Sequence, residues 1–237
     1  SIFLYHSADH GIIELKRRKL VPKSTFIWEK PFTSVKQFYD QLELVKSAGP
    51  AAGKHTVIIE GLTGIQTIWT KNAIDVVCQG NAADFHAFGK GTKILKDRDT
   101  YLPKLLRLIS ELRSSGMNVI ITGHSADKSD TDSKTGTSIK KAITSFPQTL
   151  LDLLSGYASF HGVFSKRPAP EKLSGKNIVK IGKEGVVTYI STNEDAYGEA
   201  KNRYGVNEPI LLDGTPQENF THFCDVLKID PRTLKDL

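Results

Sequence analysis

The sequence predicts an α/β protein built on a mainly parallel sheet with crossover helices, and three observations predict it. Short continuous apolar runs, SIFLY at 1–5, HTVIIEG at 55–61 and MNVIITGHS at 117–125, read as strands buried on both faces. Segments with apolar residues at helical spacing lie between them, as connections between parallel strands require. The final third instead carries short strands at hairpin-like spacing, ASFHGVF, NIVKIG and VVTYIS, so an antiparallel hairpin extension is expected near the C-terminus. The expected organisation is one domain over residues 1–237, with the parallel core in 1–155 and the extension plus a last helix in 156–237.

Taken in order, SIFLY opens as a buried strand and a basic cluster from Lys16 to Lys19 follows at the surface. STFIWEK (24–30) is a second short strand, ended by Pro31. Ser34 is placed to cap a helix that carries Val35, Phe38, Leu42 and Val45 on one face. After the strand HTVIIEG, residues 64–79 carry Ile65, Ile68, Trp69, Ile74 and Val77 at helical spacing. Residues 80–97 read as a loop rich in glycine and lysine. DTYLPKLLRLISELRSS (99–115) is an amphipathic helix with Pro103 in its first turn, and Gly116 ends it. The polar stretch 126–138 has the composition of a flexible loop. Helices are expected near 146–155 and 216–228.

Bulk properties narrow the function. The 237 residues suffice for one large α/β domain, and 39% hydrophobic with 24% charged residues is ordinary for a soluble protein. A run of about 18 apolar residues, which a membrane-spanning helix needs, is absent from the sequence, and so is a signal-peptide pattern. The two cysteines, Cys78 and Cys224, lack metal-site spacing and read as buried thiols of a cytoplasmic protein. A net charge of +6 favours polyanionic partners.

The stretch SAGPAAGKHTVIIEG (47–61) comes close to the phosphate-loop pattern G-x-x-x-x-G-K-[ST]. A phosphate loop must follow a strand and open a helix, so that the first helical N–H groups meet the phosphate. Here a helix precedes the glycines and a strand follows them. The spacing is also one residue short, and His55 stands where the magnesium-binding hydroxyl belongs. The stretch is therefore read as a helix end, with Lys54 solvated. The strand after it is more informative, because VIIEG ends in an acid, Glu60, as a strand that holds the magnesium of a bound triphosphate does.

Four segments in order carry a resemblance. They are Glu60-Gly61-Leu62-Thr63, Phe85-His86-Ala87-Phe88-Gly89-Lys90-Gly91, Thr122-Gly123-His124 and EAKNRYG at 199–205. Together they resemble phage-type AAA-domain ATPases, RecA-like P-loop proteins associated with phage single-strand annealing and recombination. The resemblance spans residue 1 to about 228. It implies a RecA-like core that binds ATP and magnesium, with a phosphate loop expected before Ser1. Two departures stand out. The family usually has Asp where Glu60 stands, and where it has an acidic cluster after the first strand this chain runs YHSADHG, with Asp9 the sole carboxylate.

The resemblance implies catalytic roles for Glu60, as the magnesium acid, for His124, as a hydrogen-bond donor to the γ-phosphate or the attacking water, and for Asp9, as the group that polarises water. His6 and His10, on either side of Asp9, are expected to be exposed loop histidines. Lys201 and Arg203 would reach the nucleotide of a neighbouring subunit, which implies a homo-oligomeric ring or filament. In the two loops after the Glu60 and His124 strands, single-stranded DNA would meet Lys90, Lys93, Lys96 and Arg98, then Lys128, Lys134, Lys140 and Lys141. The expected function is an ATPase that couples hydrolysis to single-stranded DNA handling in recombination or replication, in the host cytoplasm and beside a phage annealing or replication protein. Two alternatives stay open: a DNA-binding or partner-docking module with a degenerate nucleotide site, and a RecA-like metabolic kinase.

Overall fold

A computed structural model describes residues 1–6, 11–19, 21, 23, 25–28, 30–131, 138–144, 146–171, 180–193 and 200–229; for 125–131, 138–144, 167–171 and 180–186 it describes the backbone. The elements are β1 (Ile2–Tyr5), α1 (Gly11–Arg17), β2 (Phe26–Ile27), α2 (Val35–Ala48), β3 (Thr56–Glu60), α3 (Leu62–Asn72), α4 (Ala82–His86), α5 (Lys90–Asp97), α6 (Leu102–Ser114) and β4 (Asn118–Thr122), then β5 (Ser125–Thr131), β6 (Ser138–Thr144), α7 (Gln148–Tyr157), β7 (Phe160–His161), β8 (Val163–Glu171), β9 (Lys180–Ser191), β10 (Lys201–Asn202), β11 (Ile210–Leu212) and α8 (Pro216–Leu227). Two compact units result. The first takes in Ser1–His124 and Thr144–Leu154, and the second takes in Ser125–Ile143 and the described residues from Ser155 onward.

The first unit is mixed α/β. Its four-stranded sheet runs β2-β1-β3-β4, and all of its pairings are parallel. Register sorts the strand residues onto two faces. Ile2, Val57 and Val119 align across β1, β3 and β4, as do Leu4, Ile59 and Ile121. These two rows meet the helical layer, where Val35, Phe38, Leu42, Ile65, Trp69, Leu105, Leu108 and Leu112 are buried with them. Burying a Leu or Ile side chain in such a layer stabilises the fold by roughly 1.5–3 kcal/mol.

Local chemistry accounts for the helix ends. Ser34 caps α2 as expected, its Oγ accepting from the Gln37 N–H at 3.2 Å. Gly49 closes α2, a 3-10 turn covers Pro50–Ala52, and Gly53 turns into β3 with φ 68°. GPAAGKHT is thus a helix end, as its order in the sequence requires. Lys46 ties α2 to α6 through Glu111 at 2.7 Å and also pairs with Glu43 at 2.6 Å.

In the second unit β11, β9 and β8 form an antiparallel sheet, and β10 pairs antiparallel with β7, which matches the expected extension. Ile190, Ile210 and Leu227 form its buried centre. A capping box opens α8: Thr215 Oγ1 accepts from the Glu218 N–H at 3.3 Å, and Glu218 accepts from the Thr215 N–H at 2.8 Å.

Five local expectations need correction. The segment expected as a loop at 80–97 forms two short helices, 82–86 and 90–97, because Asn81 caps α4 and α5 buries Gly91, Ile94 and Leu95 beneath its lysines. Within 126–138, the described residues belong to two paired strands, β5 and β6, the latter rich in strand-forming Ile139, Ile143 and Thr144. The described end of NIVKIG, residues 180–182, and VVTYIS lie on one strand, β9, because β8 offers a long partner; residues 177–179 lie outside the described residues. Among its described residues STFIWEK contributes two strand residues at the sheet's edge. MNVIITGHS is half-exposed, because among the described residues β4 pairs on one side alone.

Candidate functional site

The last rung of the parallel sheet places three polar side chains in a row. Tyr5 on β1, Glu60 on β3 and Thr122 on β4 are register partners at the carboxyl ends of their strands. Strand alternation sets this row on the same face as Phe3, Ile58 and Ile120, opposite the helical layer. Glu60 is half-buried, Tyr5 buried and Thr122 exposed. The start of α1 lies over the Glu60 carboxylate, since a β-carbon at Gly11 would stand 3.5 Å from Oε1. Open α/β sheets bind ligands at the carboxyl ends of their central strands, which is where this row sits.

The face beneath the row is apolar and only partly covered. Phe3 and Ile58 are half-buried, and Ile120 is 36% exposed. Parallel strands normally bury both faces, so Phe3, Ile58 and Ile120 form an apolar stripe of the kind that a further element covers. The free side of β4 adds backbone N–H and C=O groups on which, among the described residues, no further strand pairs.

His6 corrects an expectation. It is buried, not exposed: its N–H donates to the Glu60 carbonyl at 3.0 Å, and its ring lies 5.5 Å from that of Phe32. Gly64, in the first turn of α3, makes room for it; a β-carbon there would stand 2.4 Å from His6 Cβ. His6 continues β1 by one residue onto the helical side, so its neighbours are apolar. His10 and Asp9 lie outside the described residues.

Of the expected catalytic residues, Glu60 ends β3, and His124 is exposed two positions after β4 ends. Lys201 is exposed on β10, paired in register with His161. The Arg203 guanidinium donates to the carbonyl of Gly156, in the last turn of α7. A cation there satisfies one of the helix's end carbonyls, which gives Arg203 a structural task of its own.

The expected DNA contacts separate by environment. Lys90 is held at 2.5 Å by Asp84 across the α4–α5 turn. That ammonium keeps the Asp84 carboxyl below the usual carboxylate range, and the carboxylate pushes the lysine up in turn. Lys93, Lys96 and Arg98 are exposed. Lys128 lies on β5, and Lys140 and Lys141 lie on β6. Lys134 falls outside the described residues.

Tyr5 and Thr122 are the site residues that sequence reading passes over. In Thr122-Gly123-His124 the sequence points to His124 for the sensing role, although Thr122 ends the strand. Each is the last residue of an apolar run, and only the strand register aligns them with Glu60. Among the described residues no group of three or more His, Cys, Asp or Glu side chains gathers around one point. A magnesium ion bound with a nucleotide needs only one or two carboxylates beside phosphate oxygens, and half-buried Glu60 fits that donor set. Both cysteines are buried thiols, as expected, and no described helix is long and apolar enough to cross a membrane. Comparison with protein-family models, curated proteins and solved structures finds no match.

Proposed function

We propose that the chain is the core of a RecA-like, phage-type ATPase that couples ATP binding and hydrolysis to the handling of single-stranded DNA in recombination or replication. The observation that carries this reading is the row Tyr5–Glu60–Thr122, with its acid on a central strand of a parallel sheet, on the face opposite the helical layer and beneath the start of α1. A phosphate loop belongs to this reading, and the geometry of the sheet is compatible with one. The β2-to-β3 connection, through α2, runs rightward in the order β2-β1-β3-β4 and lies on the helical side. A strand added beside β4 and joined to β1 would run leftward. With the same right-handed crossover, its helix falls on the face of Phe3, Ile58 and Ile120. Its strand-to-helix turn, where a phosphate loop resides, then lies beside Thr122 and Glu60.

In this reading Glu60 holds the magnesium ion, which neutralises charge on the triphosphate when bound. Thr122 and His124 offer hydrogen bonds to the terminal phosphate or the attacking water. Asp9 keeps its role as the water-polarising carboxylate. Lys201 and Arg203 reach the nucleotide of an adjacent subunit in a ring or filament, with Lys201 the more available of the two. The exposed cations of α5 in the first unit and the lysines of β5 and β6 in the second are each candidates for DNA phosphate contacts.

The test is steady-state ATP hydrolysis by the full-length protein, with and without single-stranded DNA, for wild type and Glu60→Gln. Stimulation by DNA and a loss of about 100-fold or more in Glu60→Gln are expected. Undiminished turnover in Glu60→Gln removes that residue's role. ATP neither bound nor hydrolysed by the wild type leaves the DNA-binding or partner-docking module as the reading.

A further inference from the structure

We propose that Phe88 is a stacking platform for a base of single-stranded nucleic acid, with Lys93 and Lys96 holding the flanking phosphates; this rests on the DNA-handling reading above. Phe88 is 108% exposed, the most exposed large apolar side chain among the described residues. Phe85, three residues earlier, is 6% exposed, so one phenylalanine of the segment packs the core and the other is displayed.

The display is built. Phe88 sits in the left-handed region with φ 46° and ψ 37°, a conformation that bulky residues rarely adopt. Two contacts hold the turn around it. Lys90 and Asp84 bridge its two sides at 2.5 Å, and Gly91 lies so close to Phe85 that a β-carbon there would meet the ring at 2.6 Å. A ring fixed in water by a clamped turn loses little conformational freedom when a base stacks on it.

The neighbourhood selects the ligand. Exposed His86, Gly89 and Lys90 flank Phe88 in the chain, polar or side-chain-free neighbours where a protein hot spot or a membrane insertion would use apolar ones. Lys93 and Lys96 are exposed on α5 one and two turns on, and neither makes an ion pair among the described residues. Lys90 is already neutralised by Asp84, so it clamps the turn and leaves the phosphates to the other two. An aromatic face beside free cations suits a single strand of any sequence.

The experiment titrates fluorescently labelled oligo(dT) with the full-length protein and reads anisotropy at several salt concentrations. Phe88→Ala is expected to weaken binding about 5- to 150-fold while leaving the salt slope unchanged. Phe88→Trp keeps the affinity, and its added indole emission is quenched on binding. Lys93→Ala with Lys96→Ala lowers the slope of log K against log salt by about 1.4. Far-UV circular dichroism and urea midpoints confirm that the variants fold. Phe88→Ala binding as tightly as wild type overturns the proposal and leaves Phe88 to a protein contact, with the DNA reading intact. No binding by the wild type at low salt overturns both. DNA binding that depends on Phe88 in a protein without ATP turnover supports the stacking role and removes the ATPase.

Discussion

Glu60 and Thr122 are register partners on the last rung of β3 and β4, both on the face turned away from the helical layer. The pairing puts a hydroxyl beside the candidate magnesium carboxylate without a loop to position it. Strand backbones hold side chains more rigidly than loops do, so the rung is suited to a fixed task.

Thr122→Val removes the hydroxyl and keeps the branched shape that suits a strand. In the proposed ATPase it is expected to lower turnover by about 100-fold. Thr122→Ser should keep most of the rate. Thr122 is exposed, so the urea midpoint of both variants stays near wild type. Steady-state hydrolysis with equal rates for Val and Ser would remove Thr122 from the site.

The contact of Gly64 with His6 predicts a stability effect at the same end of the sheet. Gly64→Ala forces a β-carbon to within 2.4 Å of His6 Cβ, and both positions are buried. Overpacking of this kind costs about 1–3 kcal/mol, readable as a lower urea midpoint. Truncating the ring in His6→Ala should not rescue it, because the nearest atom is the β-carbon, which alanine retains. Rescue by His6→Ala would show that the ring, not the backbone approach, sets the spacing.

Periodicity and apolar runs made the parallel core legible. Ile2–Tyr5, Thr56–Glu60 and Asn118–Thr122 are strands where continuous apolar runs predicted them, and Ser34 caps the helix that its spacing predicted. Glu60 was legible because an acid after an apolar run marks a strand end. The Tyr5–Glu60–Thr122 row was not, because register depends on which strands become neighbours. Lysines and glycines hid α5: its buried face is only Gly91, Ile94 and Leu95, on a segment too short and too polar overall to stand out as a helix. His6 was misread for a related reason. Its surroundings come from Phe32 and Gly64, 26 and 58 positions away in the chain.

The Lys46 bridges predict a pH dependence with a definite sign. Hydrogen bonding to Lys46 holds the Glu111 carboxyl below its ordinary value of 4.5, and hydrogen bonding to Glu111 and Glu43 raises the lysine above 10.5. The depressed carboxyl contributes stability that is full above 4.5 and lost as pH falls through its lowered folded value. The raised lysine contributes stability that is full below 10.5 and lost as pH rises through its raised folded value. Lys46→Met should flatten both limbs of the urea midpoint against pH, and 1 M salt should shrink the difference from wild type. Identical acid limbs in the two proteins would deny the bridge a role in stability.

The unequal cover of the sheet's two faces can be measured directly. Ile59 is fully buried in the helical layer, while Ile120, one strand away on the other face, is 36% exposed. Ile59→Ala should therefore cost about 2–5 kcal/mol, the usual loss for a packed isoleucine. Ile120→Ala should cost less than about 1 kcal/mol, because water already reaches the side chain. Urea unfolding of both variants at several protein concentrations separates the possibilities. A small loss at Ile120 that does not change with concentration bears out the open face. A loss at Ile120 as large as that at Ile59 means that another element covers the stripe, and growth of that loss with concentration identifies the element as a second copy.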